Sequence, residues 1–209
     1  MRRLLIAATL LALPATAQQM GKPGSKNPAA VTGGTYTVDS AHTLVGWRVD
    51  HLGFNDYFGI FGDATGTLRL DPRRLGEASV DITLPISKVV TASAGLTAHL
   101  LRPGKDGGKP DFFGADPAPA RFVSTRVIVD DDGDEAKIEG NLTLNGVTRP
   151  VVLDTDFAGA GRAPAMMGGK ENVGFHAETT IRRTDFGLGY GVPAVGDDVK
   201  LDITVAFQK

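Results

Sequence analysis

At 209 residues with a formal charge of −2, the chain is long enough for one sizeable domain and carries no basic excess of the kind that nucleic-acid binding requires. It contains no cysteine, which excludes disulfides, iron–sulfur clusters, thiol catalysis and a lipid-modified cysteine at the N-terminus. The fold must therefore be held by its core alone.

The first segment reads as a targeting signal. Arg2 and Arg3 precede an apolar run over residues 4–13, and Ala15-Thr16-Ala17 offers a cleavage site, so export to the periplasm with cleavage after Ala17 is expected. The apolar run is about half the roughly 20 residues that span a bilayer, so stable membrane insertion is not expected. Residues 18–34 are rich in Gly, Pro, Ser, Lys and Ala without periodicity and read as a disordered spacer. Residues 35–209 show no second linker and read as one domain.

That domain is a succession of short strands. In residues 36–71, Val45, Trp47, Val49 and His51 fall on one face of a period-2 pattern, with Leu44, Gly46, Arg48 and Asp50 on the other. Val80, Ile82, Leu84 and Ile86 alternate with polar residues. Residues 87–101 break the pattern: Leu96, His99 and Leu100 have helical spacing, and Pro103 ends a short helix. Glycine-rich residues 104–109 and 159–169 read as loops. A strand over 122–129 reaches the acidic turn 130–134, which lacks the spacing of a calcium loop and reads as a solvated turn. Residues 138–144 turn at Asn145-Gly146, a strong hairpin signal, into 150–157. A strand over 174–181 follows, and Leu201, Ile203, Val205 and Phe207 close the chain with the clearest half-buried alternation. Repeated one-face alternation with short turns predicts an all-β barrel or sandwich.

Several ordered motifs carry a resemblance to a known family. Tyr36, Asp39 and His42, then His51 and Gly53, then Gly59 and Phe61 follow one another as in the opening of the YceI-like family of lipid- and polyisoprenoid-binding proteins. His99-Leu100, Asp111-Phe112-Phe113, the run Gly140, Leu142, Thr143, Gly146, Val147, Thr148, and Arg183, Asp185, Phe186, Gly187 continue the likeness across 36–207. The chain departs from the family at Thr97-Ala98, where an acidic residue is usual, and by an insertion over 102–110, in the region that closes one end of the family's pocket. The resemblance implies an eight-stranded antiparallel, lipocalin-like barrel with one short helix, holding a long isoprenoid or acyl chain.

An eight-stranded barrel is just wide enough to fill with side chains or to hold one slim ligand. Each buried methylene yields about 0.8 kcal/mol, so an apolar chain needs no charged anchor. Candidate ligand-binding residues are Val45, Trp47, Val49, His51, Phe58, Phe61, Leu68, Ile82, Leu84, Phe112, Phe113 and Phe122; the five phenylalanines fit a tunnel wall or a plain core equally well. Trp47 is the sharpest candidate, because its face must turn inward if Arg48 and Asp50 face outward.

No catalytic residues, metal or cofactor are assigned. The four histidines lack ligand spacing, Asp39 and His42 read as a structural pair, and Arg183 with Asp185 as an ion pair closing the barrel. Nucleophile-elbow, phosphate-loop and dinucleotide motifs are absent, and Ser87, Ser93 and Ser124 have no base nearby in sequence. The leading expectation is a carrier of an apolar lipid, with a homodimer left open. The alternative is an exported enzyme acting on such a lipid through Asp39, His42 and His51.

Overall fold

The structure is a computed structural model that describes residues 21–209; the targeting segment 1–17 lies outside the described residues. Ten strand segments form one antiparallel sheet: β1 (Gly34–Val38), β2 (Leu44–His51), β3 (Asn55–Phe61), β4 (Thr65–Leu70), β5 (Ser79–Leu84), β6 (Ala120–Val129), β7 (Glu135–Leu144), β8 (Val147–Arg162), β9 (Glu171–Arg182) and β10 (Val195–Gln208). A short helix, α1 (Ala94–Leu100), is capped by the Ser93 hydroxyl, which accepts from the Leu96 N–H.

Ten segments make a closed eight-stranded barrel because two staves are interrupted. β1 and β2 lie end to end along β10, Val38 opposite Phe207 and Leu44 opposite Thr204, with the single turn Ser40–His42 between them. β3 and β4 form the next stave in the same way, against β2 and β1. From there each strand pairs with the next in sequence, an up-and-down meander that closes through β1 and β4, while the far side of β3 is met by the Ile60–Val90 bridge. The β7–β8 turn is the expected hairpin: Asn145 and Gly146 both take positive φ, 50° and 74°.

Period-2 alternation turns one face of every strand inward, and bulges shift the phase. On β6, Ala120 and Phe122 face the interior; a bulge between Ser124 and Arg126 then hands that role to Val127 and Val129. The backbone amide of Val80, opposite the bulge, donates instead to the Ser124 hydroxyl at 2.9 Å. On β8 the phase moves between Phe157 and Gly159, so Ala160 is buried.

Two apolar clusters occupy the two ends. At one, Phe61, Ile86, Val89, Leu100, Ala120, Leu144, Ile181, Phe186 and Leu188 form a plug, with Phe112 and Phe113 packed on it. At the other, Val31, Tyr36, Leu68, Phe157, Ala160, Val173 and Phe207 cluster beneath the N-terminal segment.

Three expectations are corrected here. The described part of the spacer, residues 21–33, packs on the barrel: Ser25 bridges to Ala160, and Val31 is buried. The glycine-rich stretch after 159 is largely strand, since β8 runs to Arg162. Both corrections share a cause. A Cβ on Gly161 would sit 2.2 Å from the Pro23 carbonyl oxygen, so glycine there lets the N-terminal backbone lie flat against β8. Arg183 does not pair with Asp185. It lies in the turn Arg183–Phe186, buried, and donates to the carbonyls of Gly196, Leu188 and Val195 at 2.7, 2.5 and 2.9 Å. Burial pulls its pKa down.

Candidate functional site: an apolar cavity inside the barrel

Inside the barrel lies a cavity of about 230 Å³ with an almost wholly apolar wall. Its floor rests on the plug, where Val45, Leu84, Ala120, Leu142, Val151 and Leu201 touch both. From there the wall rises through Leu68, Val80, Ile138, Leu153, Ile203 and Val205 to Phe157, Phe175 and Phe207. The exposed residues Ser79, Asp134 and Glu135 also line it, so the cavity reaches the surface between the start of β5 and the acidic turn. Pro28 and Val31 of the N-terminal segment form part of the same rim.

This mouth is held by a polar latch. Glu171, at the start of β9 and 5% exposed, accepts from the Thr32 amide at 3.0 Å, the Thr32 hydroxyl at 2.9 Å and the Tyr36 hydroxyl at 2.9 Å. Arg162 donates to its other oxygen at 2.9 Å, and the Lys209 ammonium stands 3.5 Å away. The Thr32 amide contributes most to lowering the Glu171 pKa to about 2, against an ordinary value of 4.5. The Tyr36 hydroxyl moves the other way, to about 12, chiefly because burial disfavours its phenolate. One carboxylate thus ties together the N-terminal segment, β1, β8, β9 and the C-terminus.

The twelve candidate residues separate into four places. Val45, Leu68, Ile82, Leu84 and Phe122 line the cavity. Trp47, Phe61, Phe112 and Phe113 belong to the plug, with Phe61 and Phe113 edge to face at 6.1 Å. Trp47 faces inward as its alternation requires, but below the cavity floor, with its indole over Gly59; a Cβ there would lie 2.6 Å from the ring. Val49 and His51 sit further along β2, beyond the plug, where His51 meets Tyr57 edge on at 6.3 Å. Phe58 is on the outer surface, 67% exposed, beside Ile60 and Val90.

Asp39 and His42 pair on the outside at 2.8 Å, with the His42 side chain 75% exposed. His99 bonds Asp111 at 2.7 Å on the far side of the plug, with Arg102 on the same carboxylate. None of Asp39, His42 or His51 lines the cavity. Among the described residues, no group of three or more potential metal ligands converges, and no helix is long and apolar enough to cross a membrane.

More than half of the wall comes from residues outside the twelve, above all Val151, Leu153, Thr155 and Phe157 on β8 and Val173, Phe175, Ala177 and Thr179 on β9. Their signal was the same alternation that marks β2 and β10. What it lacked was a way to tell floor, wall and plug apart.

Residues 36–207 match the YceI-like domain. The UPF0312 protein ECA1782 of Pectobacterium atrosepticum is 33% identical over 202 residues, covering 96% of this chain and 97% of the relative. Protein YceI of Escherichia coli O157:H7 is 36% identical over 173 residues, 81% of this chain and 84% of its own. Among solved structures, the Campylobacter jejuni YceI protein superposes with a TM-score of 0.61 at 27% identity, covering 77% of this chain and 89% of that one. A polyisoprenoid-binding domain from Saccharophagus degradans, at 14% identity, shares the fold with a TM-score of 0.57 over 83% and 97% of the two chains. The chain belongs to the YceI-like family.

Proposed function

We propose, with that family membership as premise, that this protein is an exported carrier of an apolar chain lipid, a polyisoprenoid foremost, held inside the barrel. The single observation that supports the reading best is the cavity itself: about 230 Å³, almost wholly apolar, shut by the plug below and open at a rim above. A dry cavity of about 150 Å³ with Leu, Ile and Phe walls is already enough to take up benzene. An apolar wall gives a chain lipid its affinity by burial alone, without catalytic groups. The titratable residues at the wall are Arg121, whose guanidinium is held by Asp81 at 2.9 and 2.6 Å, and the rim pair Asp134 and Glu135. Binding and release, rather than chemistry on the lipid, fits such a lining. The targeting segment supports a periplasmic location, after cleavage at Ala17.

Native purification followed by mass spectrometry of an organic extract tests the proposal. A prenyl or acyl lipid at near one-to-one stoichiometry is expected from the wild-type protein. Ala177→Trp places an indole in the bore between Thr155 and Ile203, its cross-strand neighbours, and should yield a folded barrel with no lipid. A wild-type protein that neither co-purifies with nor takes up such lipids defeats the reading.

A further inference from the structure

Among the described residues, two buried side-chain polar atoms have no hydrogen-bond partner: Nε1 of Trp47 and Oγ1 of Thr155. The first is enclosed in the plug. The second belongs to the cavity wall, where Thr155 is 7% exposed and faces inward from the middle of β8. A buried hydroxyl without a partner costs stability that an isosteric valine would not, so its presence on a wall of Val, Leu, Ile and Phe calls for a partner that arrives with the ligand.

The surroundings of Thr155 suit such a partner. Its cross-strand neighbours are Ala136 on β7 and Ala177 on β9, both at the cavity wall, so the residue stands in a notch between two methyl groups. Thr179, diagonal to it across the β8–β9 pair, adds a second hydroxyl-bearing residue to the same wall. Position matters as well. Val151 at the floor is four residues back along β8, about 13 Å of strand, and Phe157 at the mouth is one inward position further on. The polar spot is therefore near the top of a deep apolar bore.

Charge narrows the chemistry. Arg121 is committed to Asp81, and the rim carries Asp134 and Glu135. Among the described residues that line the wall, Arg121 is the one cation; Lys26 at the mouth donates to the Phe157 carbonyl, and the acidic turn beside the rim repels a phosphate or carboxylate head. We infer that the cavity takes an apolar chain bearing one uncharged oxygen, hydroxyl or carbonyl, which hydrogen-bonds Thr155 just inside the mouth while the chain fills the bore to the floor. This rests on the carrier reading above and sharpens it to a class of head group.

The test measures equilibrium binding of four probes of equal chain length to the wild type and to Thr155→Val. The probes are a prenyl alcohol, a prenylated benzoquinone, the parent hydrocarbon and the prenyl monophosphate. The wild type should bind the alcohol or the quinone about three- to tenfold more tightly than the hydrocarbon, and the phosphate more weakly than either. Which of the two oxygen probes gains identifies hydroxyl or carbonyl as the partner. Thr155→Val should erase that gain, so that the oxygenated and hydrocarbon probes bind the variant equally, and raise the melting temperature of the empty protein by about 2–4 °C. Thr155→Ser, which keeps the hydroxyl, should retain the preference. Equal affinity for oxygenated and hydrocarbon probes in the wild type overturns the inference and leaves the carrier reading standing. So does a preference that survives Thr155→Val, a melting temperature that falls, or a tighter phosphate. If no probe binds the wild type at all, both fall together.

Discussion

At the plug end, residues 85–119 fold back over the barrel with α1, and Ile86, Val89, Leu100 and Phe186 interlock in a cluster that excludes water. At the mouth end, residues 21–33 lie along the rim as a strap held by hydrogen bonds to Glu171, by the backbone bridge from Ser25 to Ala160 and by Lys209. The first closure is made of dispersion and burial, which act over many contacts and have no alternative arrangement at similar energy. The second has one buried apolar residue, Val31, and is otherwise made of polar contacts beside water, each worth far less. On the carrier reading proposed above, this asymmetry would let an apolar chain enter and leave at the strap end while the plug end stays packed.

Three measurements bear on that contrast. The largest effect belongs to the plug. Phe186 is 2% exposed, and Phe186→Ala should cost about 3–5 kcal/mol in denaturant unfolding. A cost under 1 kcal/mol would show the plug to be no firmer than the strap.

The latch comes next. Glu171→Gln keeps the shape and removes the charge, and should cost about 1–3 kcal/mol while speeding lipid exchange. Its pH signature has a definite sign. Because the folded pKa lies near 2 and the ordinary value is 4.5, the carboxylate's contribution is complete above about pH 4.5 and is lost as pH falls through 2. The wild type should lose stability across that window, and the Gln variant should lose less; parallel pH profiles would contradict the latch. The smallest effect belongs to neither end. Phe58 lies outside the barrel, so Phe58→Ser should change stability by no more than about 0.5 kcal/mol and leave lipid uptake untouched. Impaired uptake would assign the outer face of β3 a part that the present contrast does not give it.

Sequence alone determined the all-β class, the inward faces of β2, β5 and β10, the Asn145-Gly146 hairpin and the short helix before Pro103. Those follow from local rules, since a period of two fixes which side chains share a face and turn chemistry fixes where a strand reverses. Closure into a barrel rather than a sandwich came from the order of family motifs. Only the tertiary structure decided the height at which each inward residue sits. Val45 and Trp47 lie on one face of one strand, yet the first lines the cavity and the second is locked in the plug. That difference depends on strand stagger and on the loop that folds over the end, and alternation carries no record of either. The strap was hidden for a similar reason: residues 21–33 have the composition of a linker, and what orders them is the Glu171 carboxylate nearly 140 positions away and the bare backbone of Gly161. Thr155 could be placed on an inward face by counting, but its lack of a partner is a property of the walls around it, which exist only once β7, β8 and β9 have come together.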